Sequence, residues 1–393
     1  MGGLHCFVYK RINRMRKEKK LKKIFVNATA LTSGGGLVTL KQFLDSVPNC
    51  NNFYYYIFCS VESLPSIYKQ NNIKFVFPKY KKGFARLYWD YYGLRRWSKV
   101  NNIAPSLVIS LQNTTIIFDK SIPQISYIMQ SIPFVDKQWN IFDKTEQILW
   151  FYKNIYPFFM GINLGKNHYV VTQAKWIKEK FSKKFNFPLE RIYPIRPIIN
   201  IDLINDKHKF NMNEYNIFCP SSPFVYKNNI EIANAIIYLQ SIYKDISKFK
   251  IFITFEYQDD IDLYKIISVN NLENNFFFTG RLNYEEMLKY YNGCDLVVFP
   301  SYLETFGLPL LEAAAFGKPI LCSNEPYAKE VIAKYDGAKL LDINSPELWG
   351  ESILENFQER KIYNKYTADF KESWKDLFIL IDKIINKRNM KNV

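Results

Sequence analysis

The chain has 393 residues, of which 48% are hydrophobic and 17% aromatic, so it is long enough for two α/β domains with separate cores and too apolar to be disordered. Lysine and arginine outnumber aspartate and glutamate by 53 to 37, a net charge of +16, which suits nucleic acid, an anionic membrane surface or phosphorylated small molecules as partners. Cys6, Cys50, Cys59, Cys219, Cys294 and Cys322 form no Cys-x-x-Cys pair, and several sit in apolar runs, which fits a reducing cytosol better than a disulfide framework or a zinc site. His5, His168 and His208 are the only histidines, which argues against histidine-based metal sites and Ser-His-Asp triads.

Residues 1–22 form a basic tail, read either as a solvated segment or as an electrostatic attachment to anionic lipid. No long apolar run follows it, so no signal peptide is expected. The longest apolar stretch, 148–164, is broken by Lys153, Asn154 and Pro157, so no transmembrane helix is expected either.

From residue 23 the pattern alternates strand and helix. Strands are predicted at 23–27, 55–59, 74–77, 107–111, 124–128 and 168–172, with a glycine-rich turn, Ser33-Gly34-Gly35-Gly36, after the first. A second series is predicted at 216–220, 250–255, 275–279, 296–300, 319–322 and 338–341, with helices at 229–243, 284–291 and 309–316 between them. Such alternation predicts two doubly wound parallel sheets in tandem. The domains are drawn at 23–200 and 201–365, with the linker within 195–209. A terminal helix is predicted over 363–387, where Trp374, Leu377, Phe378, Leu380 and Ile381 are spaced for an apolar face; the terminal segment is drawn at 366–393.

The most informative segment runs from Phe299 to Ala313. A buried strand leads into a loop containing Glu304, Thr305, Phe306, Gly307 and Leu308; Pro309 then suits a first helical turn, and Gly317 suits its end. This arrangement puts backbone N–H groups and a helix N-terminus at the carboxyl edge of a parallel sheet, where a diphosphate is stabilised. Glu304 in the loop and Glu312, expected in the first turn of the helix, are suited to accept hydrogen bonds from sugar hydroxyls on either side of such a phosphate. The implied ligand is a nucleotide sugar.

These residues resemble the group-one retaining glycosyltransferases. Glu304 and Glu312 stand in the family's Glu-x7-Glu spacing, inside Pro-Ser-x-x-Glu-x-Phe-Gly-Leu-Pro-x-x-Glu-Ala, with Gly317-Lys318-Pro319 and Glu330-Val331 downstream. The resemblance covers 23–385 and is specific mainly over 216–331. It implies a GT-B fold, two Rossmann-like domains facing a cleft, with the donor held by the second domain and the terminal helix packing back on the first. It also implies that Glu304 contacts the donor sugar and Glu312 the ribose. Lys227, in Tyr226-Lys227-Asn228, matches the family's lysine on the donor diphosphate, with Asn228 beside it. Many relatives carry an arginine where this chain has Ser222; either Lys227 and the helix end suffice, or Arg281 reaches in. Gly280 and Arg281 match the glycine element near the nucleotide base.

In the first domain, Gly35 and Gly36 resemble the family's loop toward the donor diphosphate or the acceptor. Met129 stands near the position where many relatives have a histidine facing the transferred sugar, and Gln130 offers an amide instead. Asp259-Asp260-Ile261-Asp262 contains an Asp-x-Asp but reads as a helix start, where acids offset the helix dipole; no metal is expected. Residues 79–99 interleave Lys and Arg with Tyr88, Trp89, Tyr91, Tyr92 and Trp97. Such a mixture suits a membrane surface or a nucleic acid, and a lipid-linked acceptor favours the membrane.

The expectation is a metal-independent, retaining hexosyltransferase without cofactor. It would move a hexose from a nucleoside-diphosphate sugar to a lipid-linked glycan in bacterial O-antigen or capsule synthesis. Its place would be cytoplasmic, peripheral on the inner membrane face, with no nucleic-acid partner. Lys227 and Glu304 would carry the reaction. Rival readings are a nucleotide-sugar epimerase of the same fold, against which scarce histidine counts, a sugar-nucleotide-binding protein that has lost catalysis, and a nucleic-acid binder, against which Glu304 and Glu312 count.

Overall fold

The computed structural model describes residues 21–49, 52–79, 83–198, 201, 203–370 and 373–391. The basic tail up to residue 20, with Cys6 and His5, lies outside them, as does Cys50. The described chain divides into two compact units. The first takes the residues up to Phe134, Phe151–Ile198 and those from 373 on; the second takes Val135–Trp150 and those from 201 to Phe370.

Among the described residues of the first unit, seven strands form one sheet in the order β3-β2-β1-β4-β5-β6-β7. They are β1 Lys22–Ala28, β2 Phe53–Cys59, β3 Ile73–Val76, β4 Leu107–Ser110, β5 Gln124–Ile128, β6 His168–Thr172 and β7 Ile192–Pro194, every pair parallel. The near-continuous apolar runs of β1 and β2 follow from burial on both faces. Ile24, Val26 and Ala28 enter one layer with Leu40, Phe43 and Leu44, whereas Phe25 enters the other with Phe58, Trp89 and Leu94. β7 was not expected from the sequence, because Tyr193 and Pro194 look like the start of a linker; as the edge strand it accommodates a proline.

The terminal helix is Trp374–Lys391, and its buried Trp374, Leu377, Phe378, Ile381, Ile384 and Ile385 join the layer of Ile24 and Phe43. Trp374 stacks on Tyr127 at 5.2 Å and 18° and donates Nε1 to Gln42 Oε1 at 3.1 Å. The helix starts later than its apolar spacing suggests. Residues 361–370 are irregular because the second unit holds them: Tyr366 N donates to the Ala314 carbonyl at 2.9 Å, and Phe370 packs edge-on against Phe306 at 5.5 Å.

In the second unit, six described strands form a parallel sheet in the order β10-β9-β8-β11-β12-β13. They are β8 Tyr215–Cys219, β9 Phe249–Ile253, β10 Phe276–Phe278, β11 Leu296–Phe299, β12 Ile320–Ser323 and β13 Ala338–Leu341. Trp349, fully buried among Ile232, Ile236 and Leu239, anchors the helix Pro346–Glu359; burial of a side chain this size contributes about 3 kcal/mol. The first-domain boundary expected at 23–200 needs a correction, since Val135–Trp150 belongs to this second unit. Lys137 Nζ lies 4.1 Å from the centroid of the Tyr302 ring, a cation–π contact no local pattern signals.

Each strand order reverses once, between β1 and β4 in the first sheet and between β8 and β11 in the second. At such a point the turns leaving adjacent strands diverge and open a crevice at the carboxyl edge, where doubly wound sheets bind ligands.

Candidate functional site

The crevice of the second sheet is bounded by the turn after β8, which carries Lys227, and the turn after β11, which carries Glu304. A 3-10 turn, Val225–Lys227, ends at Asn228 in the left-handed conformation (φ 54°), which begins the helix Asn229–Ile242. Tyr302 N donates to the Tyr226 carbonyl at 3.0 Å, tying the two turns together. The buried Ser301 hydroxyl lies 3.2 Å from the same carbonyl and 3.1 Å from Glu304 Oε1. Across this seam Lys227 Nζ meets Glu304 Oε1 at 2.5 Å, with both side chains more than four-fifths buried. The two residues expected to carry the reaction are thus paired.

The helix after Glu304 spans Leu308–Ala315, with Pro309 in its first turn. Gly307 precedes it at φ 78°, and a Cβ there would lie 2.8 Å from the Tyr327 ring. The glycine therefore answers to the chain's own packing, beyond any approach to a ligand. The Tyr327 hydroxyl reaches past it to the Ser301 carbonyl at 2.7 Å. Leu310 N donates to the Gly307 carbonyl at 3.1 Å, closing the first turn, and the N-terminal end of the helix at Leu308 carries the positive end of its dipole. The Phe306 side chain is buried against Phe370.

Glu312 needs a correction. It lies in the second turn of the helix, not the first, because the helix begins at Leu308. Burial pushes its carboxyl above the ordinary carboxylate range, while the Tyr291 hydroxyl from the helix Tyr284–Gly293 pulls the other way. Gly280 is buried beside Glu256, with φ 69°, and Arg281 is exposed. Asp259 and Asp260 are engaged at helix starts: Glu256 N donates to Asp259 Oδ2 at 3.2 Å and Leu263 N to Asp260 Oδ1 at 3.1 Å. Among the described residues no group of three or more His, Cys, Asp or Glu side chains could hold a metal ion.

In the first unit, Gly35 and Gly36 lie in the first turn of the helix Gly34–Ser46, and a Cβ at Gly35 would meet no atom within 4 Å. That backbone is open. Met129 N and Gln130 N both donate to Asn113 Oδ1, at 2.6 and 3.0 Å. The Gln130 amide oxygen turns back to accept from Ile132 N at 3.3 Å. The described histidines are packed rather than aimed at either crevice: His168 is buried, its imidazole pushed down to about 4 by desolvation, and His208 stacks on Tyr290 at 4.1 Å.

Sequence reasoning missed several groups. Ser301 and Tyr327 hold the Glu304 turn from within, and Glu231 is a buried cap, accepting from Asn344 N at 3.0 Å and Ser345 N at 2.8 Å. Only Ser301 carried a signal, as part of the Pro-Ser word. Asp90, treated below, carried none.

Two parallel-sheet α/β units of seven and six strands make this a GT-B fold. Among solved structures, WaaG, a glycosyltransferase involved in lipopolysaccharide biosynthesis, matches with a TM-score of 0.60 at 14% identity, over 86% of this chain and 90% of that one. Anabaena HepE in complex with UDP and glucose matches with a TM-score of 0.58 at 13% identity, over 95% of this chain and all of that one.

The segment that holds the Lys227–Glu304 crevice goes further: residues 213–373 match the model of the glycosyl transferases group 1. An uncharacterized glycosyltransferase of Methanocaldococcus jannaschii is 29% identical over 60% of this chain and 64% of its own length. The O-antigen chain mannosyltransferase B of Escherichia coli is 30% identical over 26% of each chain. Each of these two matches thus spans less than two thirds of the relative.

Proposed function

We propose that this protein is a retaining glycosyltransferase that moves a hexose from a nucleoside-diphosphate sugar to a lipid-linked glycan acceptor, in bacterial O-antigen or capsule synthesis. The observation that carries the reading is the Lys227–Glu304 pair at the carboxyl edge of the second sheet, inside the segment matched to group 1. Without ligand the cation and carboxylate neutralise each other. A diphosphate between Lys227 and the helix N-terminus would take the ammonium and free Glu304 for a sugar hydroxyl. Glu312, set deeper on the same helix, would face the ribose.

The C1–O bond of the donor breaks and a bond from C1 to the acceptor oxygen forms on the same face. The acceptor's proton passes to the departing diphosphate. Lys227 and the helix N-terminus stabilise the negative charge that develops there. No side-chain base is required, and this charge arrangement does the work that a metal does elsewhere. Among the described residues, His168 and His208 are both packed into the fold, which counts against an epimerase that uses histidine as its acid–base group.

The acceptor side and a membrane contact are assigned to the first unit. Tyr88 and Tyr92, both exposed, stack at 5.9 Å, and exposed Arg95, Arg96 and Lys99 continue that helical face. The neighbouring helix, joined through a Tyr91–Phe159 ring contact at 6.2 Å, exposes Ile155, Phe158 and Ile162. Aromatic and aliphatic side chains flanked by cations suit the headgroup region of an anionic bilayer. No described helix is long and apolar enough to cross a membrane. The placement on the inner face of the cytoplasmic membrane belongs to this proposal.

The test is release of nucleoside diphosphate from UDP-, GDP- and dTDP-sugars, with and without a lipid-linked acceptor extract. Release from one donor, stimulated by acceptor and lost in Glu304→Ala and Lys227→Ala, is the expected result. Absence of both binding and turnover across the panel would overturn the transferase reading.

A further inference from the structure

The crevice of the first sheet is closed from within by one carboxylate. Asp90 is almost fully buried, at 1% exposure. Its Oδ1 accepts from Asn27 Nδ2 and Gln112 Nε2, both at 2.7 Å, and its Oδ2 accepts from Thr114 Oγ1 at 3.1 Å. Arg86 Nε stands 3.8 Å from Oδ2. Asn27 lies next to the end of β1, and Gln112 and Thr114 follow β4, so these donors come from both sides of the point where the strand order reverses.

The direction of this network is settled by groups that can only donate. The Trp89 indole N–H donates to Asn27 Oδ1 at 3.2 Å, and the Ala30 backbone N–H donates to Gln112 Oε1 at 2.9 Å. Each amide therefore has its oxygen engaged and must turn its NH2 toward Asp90. The carboxylate is the common end of both chains. Trp89 and Asp90 are consecutive yet both buried, because they open a π-helical turn, Trp89–Gly93, whose wider path aims neighbouring side chains inward.

The network also reaches beyond the two strands. Asn113, next to Gln112 and left-handed at φ 68°, accepts from Met129 N and Gln130 N after β5. Ala30 leads into the open glycine turn at Gly35. Asp90 is thus the hub of the three turns that border the first unit's crevice.

We propose that Asp90 is a positioning residue: its carboxylate, by accepting from Asn27, Gln112 and Thr114, holds the turns after β1 and β4, and through Asn113 the turn after β5, in their binding geometry, so that losing it loosens these turns and weakens acceptor binding. The inference rests on the reading of this unit as the acceptor side. Burial raises the Asp90 carboxyl to about 6, opposed first by Arg86 and then by its hydrogen-bond donors. The other titratable groups facing it are Tyr91 of the same turn and Tyr156 of the helix Tyr156–Gly161, both raised above the ordinary tyrosine value by burial. Because the folded value of Asp90 lies above the ordinary carboxylate one, protonation does not lower stability. A proton on Oδ2 can be donated to the Thr114 hydroxyl, which accepts as well as donates, so acid by itself does not break the network.

Three forms of the full chain decide the matter: wild type, Asp90→Asn, and the exchange Asn27→Asp with Asp90→Asn, which restores an acceptor facing a donor at that link. Protection of the Ala30, Met129 and Gln130 amides, with rates corrected for intrinsic exchange, is read at about pH 7 against β1 amides. In parallel, acceptor KM is measured with lipid-linked extract, and nucleoside-diphosphate affinity reports the state of the second unit. In Asp90→Asn, protection at the three amides should fall and acceptor KM should rise, each about tenfold, the scale of one net hydrogen bond, with nucleoside-diphosphate affinity unchanged, and the exchanged pair should restore both. An Asp90→Asn protein that behaves as wild type, or an exchanged pair that restores neither readout, would overturn the proposal. Should Asp90→Asn fail to fold, Thr114→Val, which removes one donor to Asp90, carries the same test with the same expected direction. If wild type turns over no donor, the transferase reading fails while the exchange data still test the role of Asp90.

Discussion

Lys227 and Glu304, separated by 77 residues in sequence, share an ion pair of 2.5 Å at the carboxyl edge of the second sheet. Both charges a nucleotide sugar would engage are held in place by each other, with Ser301 and the Tyr226 carbonyl fixing the seam. On the proposed reading, a donor diphosphate and its sugar would take up these two charges in place of each other.

Lys227→Ala should lower nucleoside-diphosphate affinity and turnover together, because on the proposed reading the ammonium would meet the diphosphate in both ground and transition states. Glu304→Gln keeps a hydrogen-bonding group and should spare nucleotide affinity while turnover falls about 100-fold, the usual scale for losing one oriented charge contact. Calorimetry with the nucleoside diphosphate beside steady-state kinetics separates the two. Because the residues act as a unit, the double variant should cost less than the sum of the singles.

Gly307→Ala should destabilise the second unit by about 2–3 kcal/mol, since alanine meets both an unfavourable φ and the Tyr327 ring. Tyr327→Phe removes the hydroxyl that donates to the Ser301 carbonyl and should cost about 1 kcal/mol. Denaturant unfolding followed by tryptophan fluorescence measures both. A stable Gly307→Ala protein would show that the close approach to Tyr327 is relieved without strain.

For the membrane face, binding to vesicles containing phosphatidylglycerol should exceed binding to phosphatidylcholine vesicles and fall with salt. Replacing Arg95 and Arg96 together by alanine should weaken it roughly thirtyfold, at about 1 kcal/mol per cation. Tyr92→Ser with Phe158→Ser should weaken binding to both lipids. Cosedimentation reads all of these, and equal retention of every variant on both vesicle types would remove the face from consideration.

Acid should unfold the first unit partly through His168. Burial holds its imidazole at about 4, below the ordinary histidine value, so the folded state resists protonation and the unfolded chain does not. Stability should therefore fall as pH drops from about 6.5 toward 4, by up to roughly 3 kcal/mol. His168→Phe should flatten that limb in a pH series of unfolding free energies; an unchanged limb would assign it to other groups.

Much of the fold was legible along the chain. Parallel strands buried on both faces produce short, nearly unbroken apolar runs, so β1, β2, β8 and β11 stand out from their own residues. The Glu304–Pro309 turn was legible for the same reason: a left-handed glycine and a first-turn proline act within a few residues of themselves. β7 was hidden by a proline tolerated only at an edge, and the register of Glu312 by the helix beginning at Leu308.

By itself the sequence determined the two series of parallel strands, the turns that leave their carboxyl edges, and the residues Lys227, Glu304 and Gly307 on those turns. These depend on local backbone preference and on burial of neighbouring side chains. The tertiary structure alone decided that Lys227 pairs with Glu304, that Val135–Trp150 belongs to the second unit, that the terminal helix starts at Trp374, and that Asp90 is buried at the hub of three turns. In residues 79–99 Asp90 looks like one more surface charge among lysines, arginines and aromatics. Its environment is set by Asn27, Gln112 and Thr114, which the winding of the sheet brings together from distant stretches of chain, and no local pattern encodes that meeting.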